Sequence, residues 1–458
     1  MRNGELSFWH ASLGGIQPTR TALPESTEAD VCIVGAGLTG LWTAYYLRRA
    51  DPALRIVVLE AEHVGFGASG RNGGWLSGEL AGSRSTYAKA AGGRDPVIVL
   101  QRAMYASVDE VIGVLDREGI DADVKKGGTL YTARTPAQLG RLHAQLAYEQ
   151  EWGFGDEYSW LERAELEQRV RMRGALAAIA TPHCARVHPA KLVRGVGDLV
   201  ERMGVTIHES TPVARIDARC AHTPFGAVSA RHVLRCTEGF TASLTGLKRT
   251  WLPMNSSMIA TAPLPAAFWD EVGWQGSETI SDTSHVYFYA QRTADDRIAI
   301  GGRGVPYRFG SRTDDHGRTQ EATALALKAI TADLFPAAAE VEIDHAWCGV
   351  LGVPRDWCTT VGLDPATGLG WAGGYVGSGL TTTNLAGRTL ADLVRGEQTD
   401  LTSLAWVNRR PRKWEPEPLR YLGVHGLYAL YRAADGSERR GGSRTSRLAR
   451  IADLISGK

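Results

Sequence analysis

Cysteine is scarce and scattered. The six cysteines (Cys32, Cys184, Cys220, Cys236, Cys348 and Cys358) form no C-x-x-C pair and no zinc-ligand spacing, which argues against a disulfide framework and a structural metal and fits a reducing compartment. Net charge is missing too. Fifty-one basic residues against 50 acidic ones leave +1, too little for a field that would gather nucleic acid or an anionic membrane. No apolar run approaches the ~18 residues a bilayer span needs. The opening MRNGELSFWHASLGG lacks the apolar core of a signal peptide. These absences predict a cytoplasmic protein with no metal, no nucleic-acid partner and no transmembrane segment, long enough for two or three domains. Repeats and low-complexity segments are absent as well.

What the chain does have is glycine, placed in patterns. In ADVCIVGAGLTGLWTAYYLRRADPALRIVVLEAE (29–62) a short apolar run, Val31 to Val34, reads as a buried parallel strand. Gly35, Gly37 and Gly40 follow as G-x-G-x-x-G: the first permits a tight turn, the second lets backbone approach a pyrophosphate, the third lets helix pack on strand. A helix from about Leu38 to Arg49 aims its first N–H groups at the phosphates. RIVVLE is the next strand, and Glu60 closes it 20 residues after Gly40, where an acid accepts ribose hydroxyls. An acid there favours an unphosphorylated ribose, hence NAD or FAD over NADP.

A second glycine-rich stretch, GFGASGRNGGW (65–75), follows at once. It is too glycine-rich for the crossover helix of a plain NAD domain, since each interior Gly costs about 1 kcal/mol against Ala. It suits backbone laid along an extended ligand, unless it is a flexible surface loop. Its counterpart lies far down the chain in GLGWAGGYVGSGLTTTNLAGRTLADLV (368–394): a strand from Leu369 to Ala372, a turn from Gly373 to Gly379 and a helix from Leu380 to Val394. Two glycine turns so far apart suit a cofactor that threads a whole domain, and a flavin's electron-rich edge suits the second helix start.

These stretches resemble the FAD-dependent D-amino acid oxidase and glycine oxidase superfamily, in the branch of γ-glutamylputrescine oxidase and related bacterial amine oxidases. The resemblance spans roughly residues 7 to 405. It implies an α/β fold: a discontinuous Rossmann-like FAD-binding domain (1–88, 183–246 and 350–405) with an interleaved substrate domain on a mixed β-sheet (89–182 and 247–349). Residues 406–458 form a C-terminal helical extension. It also implies FAD contacts from Gly35, Gly37, Leu38, Thr39, Gly40, Glu60 and Ala61, from Ala68, Ser69, Gly70, Arg71, Asn72, Gly73 and Gly74, from Val213 on the adenine side, and from Gly374, Gly377, Ser378, Gly379, Leu380 and Thr381. The region Thr237–Gly239 resembles the family's return past the phosphates. Between these parts, 87–171 reads as helical apart from a hairpin at DADVKKGGTLYTAR, and about 250–347 reads as alternating strands. The tail from residue 410 carries 11 basic and 5 acidic side chains, in one or two amphipathic helices packed on the body or facing an acidic partner or membrane.

Such a family implies oxidation of a C–N bond by hydride transfer to flavin N5, with the imine then hydrolysed; the protein orients the substrate and excludes water, so no strong base is required. In HVYFYAQ strand alternation puts His285, Tyr287 and Tyr289 on one face, either a cage for an amine or sheet-surface aromatics. Arg71 and Asn72 either reach the flavin edge or hold their own loop. Arg303 resembles a substrate-side polar position, or is a surface arginine. Arg71, Tyr287, Tyr289 and Arg303 are the catalytic-site candidates.

Departures from the family refine the expectation. The carboxylate-clamping Arg of D-amino acid and glycine oxidases is Leu351 here, and the Lys of sarcosine-type enzymes in the C-terminal turn is Thr381; neither pairs bidentately with a carboxylate. The small-molecule substrate is therefore an amine rather than an α-amino acid. The oxygen-activating Lys of those enzymes is matched by Ala299, so the electrons go to O2 or to another acceptor. Cys348 matches the position where sarcosine-type enzymes attach FAD covalently, or is a buried small apolar residue; FAD held without a covalent link is the expectation. The alternatives are an amine or amino-acid dehydrogenase, a D-amino acid oxidase and a non-catalytic flavoprotein; oligomeric state is not readable.

Overall fold

Alternation along one buried strand organises the first half of the molecule. In the computed structural model, which describes every residue except 17–19, 303, 305, 314, 315, 441, 443, 457 and 458, the strand Thr27–Val34 buries Val31 and Ile33 on one face and Cys32 and Val34 on the other. A strand buried on both faces belongs inside a parallel sheet. Ile56–Leu59 flanks it on one side and Gly226–Arg235 on the other, both parallel, with Thr206–His208 beyond Ile56–Leu59. Leu369–Gly373 also runs parallel to Gly226–Arg235 and carries the antiparallel strand Thr360–Asp364. The helices Pro189–Arg202, Leu38–Ala50, Gly379–Arg395 and Asp95–Glu118 pack successively side by side. They bury Trp42, Tyr45, Val111, Leu385 and Leu390 against the Val31/Ile33 face.

A second sheet of nine strands begins at Arg2–Asn3 and runs through Ile343–Val353, Leu252–Thr261, Ile298–Gly302, Tyr289–Arg292, Thr279–Asp282, Thr129–Ala133 and Ala177–Thr181 to Ser159–Glu162. It is mixed: parallel where Arg2–Asn3 joins Ile343–Val353 and where Thr279–Asp282 joins Thr129–Ala133, antiparallel elsewhere. Ile259, Ile298, Ile300 and Phe288 bury one face under the helix Glu321–Leu334. Met258, Ala299 and Trp347 on the other meet Phe8 and Trp9 of a short N-terminal helix.

Three expectations need correction. No hairpin forms at residues 121–134; Thr129–Ala133 is a single strand whose partners, Thr279–Asp282 and Ala177–Thr181, come from far along the chain. The stretch read as alternating strands also holds the helices Ala266–Val272 and Glu321–Leu334. The HVYFYAQ strand starts only at Tyr289, so alternation does not set the direction of His285 or Tyr287.

The tail forms the helices Leu419–Arg439 and Arg447–Ser456, packed on each other. Among the described residues no helix is long and apolar enough to cross a membrane.

Candidate active site

An elongated cavity of about 840 Å3 runs between the two sheets, from Glu60 and Val213 at one end to Tyr131, Tyr287 and Tyr289 at the other. That is near the top of the ~300–1,000 Å3 range of ligand pockets. The glycine turns make its floor. Gly35 has φ +107°, and a Cβ there would sit 2.7 Å from Cys236 O. Gly37 caps the helix Leu38–Ala50, and its Cβ would meet Ser69 Oγ at 3.0 Å, where that hydroxyl accepts from Leu38 N (2.9 Å). Glu60 accepts from Ala36 N (2.8 Å) and Glu62 N (3.1 Å), while burial pushes its carboxyl up to about 7. Hydroxyls donated to this carboxylate would favour its charged form.

The second loop is held from beneath by residues that carry no motif. Ser7 Oγ donates to Gly70 O (2.7 Å), and Trp9 Nε1 donates to Asn72 O (2.8 Å). His10 packs against Gly70, its pKa lowered to about 3 chiefly by burial. Asn72 and Arg71 part company here. Asn72 Nδ2 donates to Ala68 O (3.0 Å) and Ser69 O (2.9 Å), and its Oδ1 accepts from Gly74 N (2.7 Å), so this side chain braces its own loop. Arg71, 5% exposed, lies over the Phe66 ring at 4.3 Å, and its carbonyl accepts from Trp347 Nε1 (2.8 Å).

Glu238, inside the stretch expected to pass the phosphates but given no role there, ties the third turn in place. It has φ +42° in the short turn Glu238–Ser243. Its carboxylate accepts from Gly352 N (3.0 Å), Gly374 N (2.8 Å) and Tyr375 N (3.1 Å), and burial pushes it up to about 7. Tyr375 OH then bonds Thr39 Oγ1 (2.9 Å), closing the last turn onto the first helix.

At the far end, Tyr289 OH bonds Ser256 Oγ (2.8 Å) and its ring packs on Gly73 and Gly301. Tyr287 is 39% exposed. Glu79, paired with Tyr131 OH, and Asp282 also face the cavity, and burial raises both carboxyls. Arg141, Gln145, Thr283 and Ser284 complete this end. None of these six was read from sequence, because they come from three separate parts of the chain: Glu79 from one, Arg141 and Gln145 from the helix Pro136–Glu151, and Asp282, Thr283 and Ser284 from the end of the strand Thr279–Asp282.

Gly35, Gly37, Leu38, Thr39, Glu60, Ala61, Ala68, Ser69, Arg71, Asn72, Gly73, Val213, Gly377, Ser378, Gly379 and Leu380 line the cavity. Six others do not. Gly40 lies against Gly35 O and 2.9 Å (from its Cβ position) from Ile33 Cγ2, as helix–strand packing requires. Gly70 backs onto His10, Gly74 (φ +69°) onto Gln291, and Gly374 (φ +79°) onto Pro354. Thr381 is buried inside its helix. Cys348 sits off the cavity with Sγ 3.6 Å from Asn255 Oδ1, so the position matched to a covalent link does not face the ligand space. His285 turns away to the tail helix, 3.0 Å from Glu438 Oε1. Arg303 lies outside the described residues. Leu351 lines the cavity, and Ala299 is buried beside Trp347.

Metal ligation was not expected. Among the described residues His285, Asp435 and Glu438 bring ligand atoms within 4.8 Å of one another. Their carboxylates are already engaged by the backbone N–H groups of His285, Val286 and Ser446 and by Arg141.

The cavity fits the dinucleotide that the resemblance implies. Its lining joins a carboxylate suited to a ribose, a glycine turn without side chains at a helix start, a second helix start at Gly379, and Arg71. Known proteins agree. The chain is 29% identical to γ-glutamylputrescine oxidoreductase of Escherichia coli (strain K12) over 411 residues, 88% of this chain and 92% of that protein. Glycine oxidase from Geobacillus kaustophilus superposes with a TM-score of 0.69 at 22% identity, covering 83% of this chain and 99% of that one. Iminodiacetate oxidase from Chelativorans sp. BNC1 gives 0.64 at 20%, covering 82% and 99%; at these identities the two structures establish the fold. The sequence profile of the FAD dependent oxidoreductase (DAO) family matches residues 30–393. The chain belongs to that family and is an FAD-dependent oxidoreductase.

Proposed function

We propose that this enzyme oxidises the C–N bond of a primary or secondary amine, with O2 as electron acceptor. The observation that carries the reading is the make-up of the far end of the cavity. Tyr131, Tyr287 and Tyr289 stand there with Glu79 and Asp282, and the cavity is also lined by Leu351, which the family resemblance matches to the carboxylate-clamping arginine. Aromatic faces and carboxylates attract a cation; an apolar leucine gives a carboxylate nothing to pair with. The name of the Escherichia coli relative, γ-glutamylputrescine oxidoreductase, supports an amine.

When bound, FAD would supply the acceptor for a hydride from the carbon next to nitrogen, and the resulting imine would be hydrolysed by water. The residues of the chain do the rest. Glu60 would receive the ribose hydroxyls, and the turns at Gly35–Gly37 and Gly377–Gly379 would offer N–H groups to the polar parts of the cofactor. Arg71 and Tyr289 flank the reacting region, Arg71 held by Phe66 and Tyr289 by Ser256. Tyr287 covers the amine from the side open to solvent. In this reading residues 1–88, 183–246 and 350–405 hold the cofactor, and 89–182 and 247–349 present the substrate.

A second reading, a dehydrogenase passing electrons to a non-oxygen acceptor, is favoured by Ala299, which is enclosed by Phe8, Trp9, Met258 and Trp347 where sarcosine-type enzymes place a lysine. Anaerobic bleaching of the flavin by a panel of polyamines, secondary amines and D-amino acids tests the substrate class: a preference for D-amino acids overturns the amine. Oxygen uptake against dye reduction with the same substrate separates the two acceptors.

A further inference from the structure

The segment 283–288 belongs to no strand, yet Thr283, Ser284 and Tyr287 line the far end of the cavity. Backbone outside a sheet must find other partners for its N–H groups. Here they come from the tail. Asp435 Oδ1 accepts from His285 N (3.0 Å) and Asp435 Oδ2 from Val286 N (2.9 Å). Tyr431, one turn earlier on the same helix, stacks its ring on His285 at 5.8 Å and 18°. Val286 packs into the apolar seam that joins the two tail helices. One turn later Glu438, 4% exposed, reaches Arg141 Nη2 (2.8 Å) and His285 Nε2 (3.0 Å). Arg141, from the helix Pro136–Glu151, lines the cavity and also donates from Nε to Thr283 O (2.6 Å). A guanidinium in a cavity that takes cations would repel them, and a buried carboxylate at ion-pair distance cancels most of that field.

We infer that the helix Leu419–Arg439 is a working part of the substrate wall: Asp435 positions the segment 283–287, and Glu438 neutralises Arg141 so that a cationic substrate is admitted. Both are positioning residues. The inference rests on the amine reading for its substrate, but its test needs no turnover, so the two fail separately.

Two near-isosteric substitutions in the FAD-loaded enzyme test it, with flavin content and melting temperature as controls for folding. Glu438→Gln leaves the charge of Arg141 uncancelled, and sulfite, an anion that adds to oxidised flavin, is expected to bind about threefold more tightly. Asp435→Asn replaces one acceptor with a donor, and hydrogen exchange of peptides covering 283–287 is expected to rise several-fold, with quenching of flavin fluorescence by neutral acrylamide rising alongside. Asp453→Asn, which takes the charge from a carboxylate that accepts from Tyr431 OH within the tail, is expected to match wild type in all three measurements. Unchanged or weaker sulfite binding in Glu438→Gln overturns the charge role, and unchanged exchange at 283–287 in Asp435→Asn overturns the wall role. Equal effects from Asp453→Asn overturn both, since they would report a loosened tail. If Asp435→Asn fails to retain FAD, Val286→Pro removes one of the same N–H donors from the wall side, and exchange at 283–287 is read there.

Discussion

The two ends of the cavity are built by different means. The nucleotide end is made mostly of backbone: glycines at 35, 37, 377 and 379, helix starts at Leu38 and Gly379, and a carboxylate at Glu60. The substrate end is made of side chains from the helix Pro136–Glu151, the strands Thr129–Ala133 and Thr279–Asp282 and the turn after it, and the tail stands behind that turn. Backbone sites tolerate no added atom. Side-chain sites tolerate exchange and thereby change specificity.

The contrast is sharpest where one methyl group meets the backbone end. Gly40→Ala puts a Cβ onto Gly35 O and Ile33; overpacking of ~2 kcal/mol or more is expected to lower FAD retention more than ~10-fold, read as flavin absorbance per purified protein. Glu238→Ala is expected to cost at least as much stability. It strands three backbone donors, and at ~1–3 kcal/mol each it is expected to lower the melting temperature and release FAD; unchanged stability would mean that Glu238 does not hold the third turn.

At the side-chain end the effects shrink and move to KM. Tyr287→Ala removes a ring from the cation's path, and a cation–π contact of ~0.5–2 kcal/mol predicts KM for a cationic amine raised about 2- to 30-fold, with kcat and FAD content kept. A fall in kcat alone would place Tyr287 outside the substrate site. The smallest effect is a pH trend. Burial raises the folded Glu60 carboxyl to about 7, so between the ordinary carboxylate value and about 7 the unfolded chain releases this proton first, and stability falls as pH rises through that window. In FAD-free protein the melting temperature of wild type relative to Glu60→Gln is therefore expected to decline from about pH 5 to about pH 7. A flat difference would show that Glu60 is not held in its buried, acid-favouring environment.

The same contrast explains what could be read from sequence. Backbone geometry leaves a local mark, because a turn at φ +107° or a helix lying on a strand selects glycine at fixed spacing; strand, turn, helix and terminal acid at 29–62 all stand where expected. Glycine overstates ligand contact, however: Gly40, Gly70, Gly74 and Gly374 answer to φ or to a neighbour's close approach. Substrate-end residues leave no such mark. His285 shared an alternating pattern with Tyr289, but a period of two does not say where a strand begins, and here it begins after His285 has already turned to Glu438. Glu238 is a lone acid in a turn, and its three backbone partners become visible only once Gly352, Gly374 and Tyr375 are brought beside it.

The bond between Thr39 and Tyr375 joins residues 336 positions apart. Chains emerge from the ribosome amino end first. The helix Leu38–Ala50 is therefore made early, but the turn that closes over it is among the last parts of the fold to be synthesised. A nascent chain carries a dinucleotide fingerprint for most of its synthesis without the means to enclose a dinucleotide. Cofactor capture thus waits for this turn: a chain truncated before Gly373 has the first glycines that announce the site and lacks the turn that shuts it.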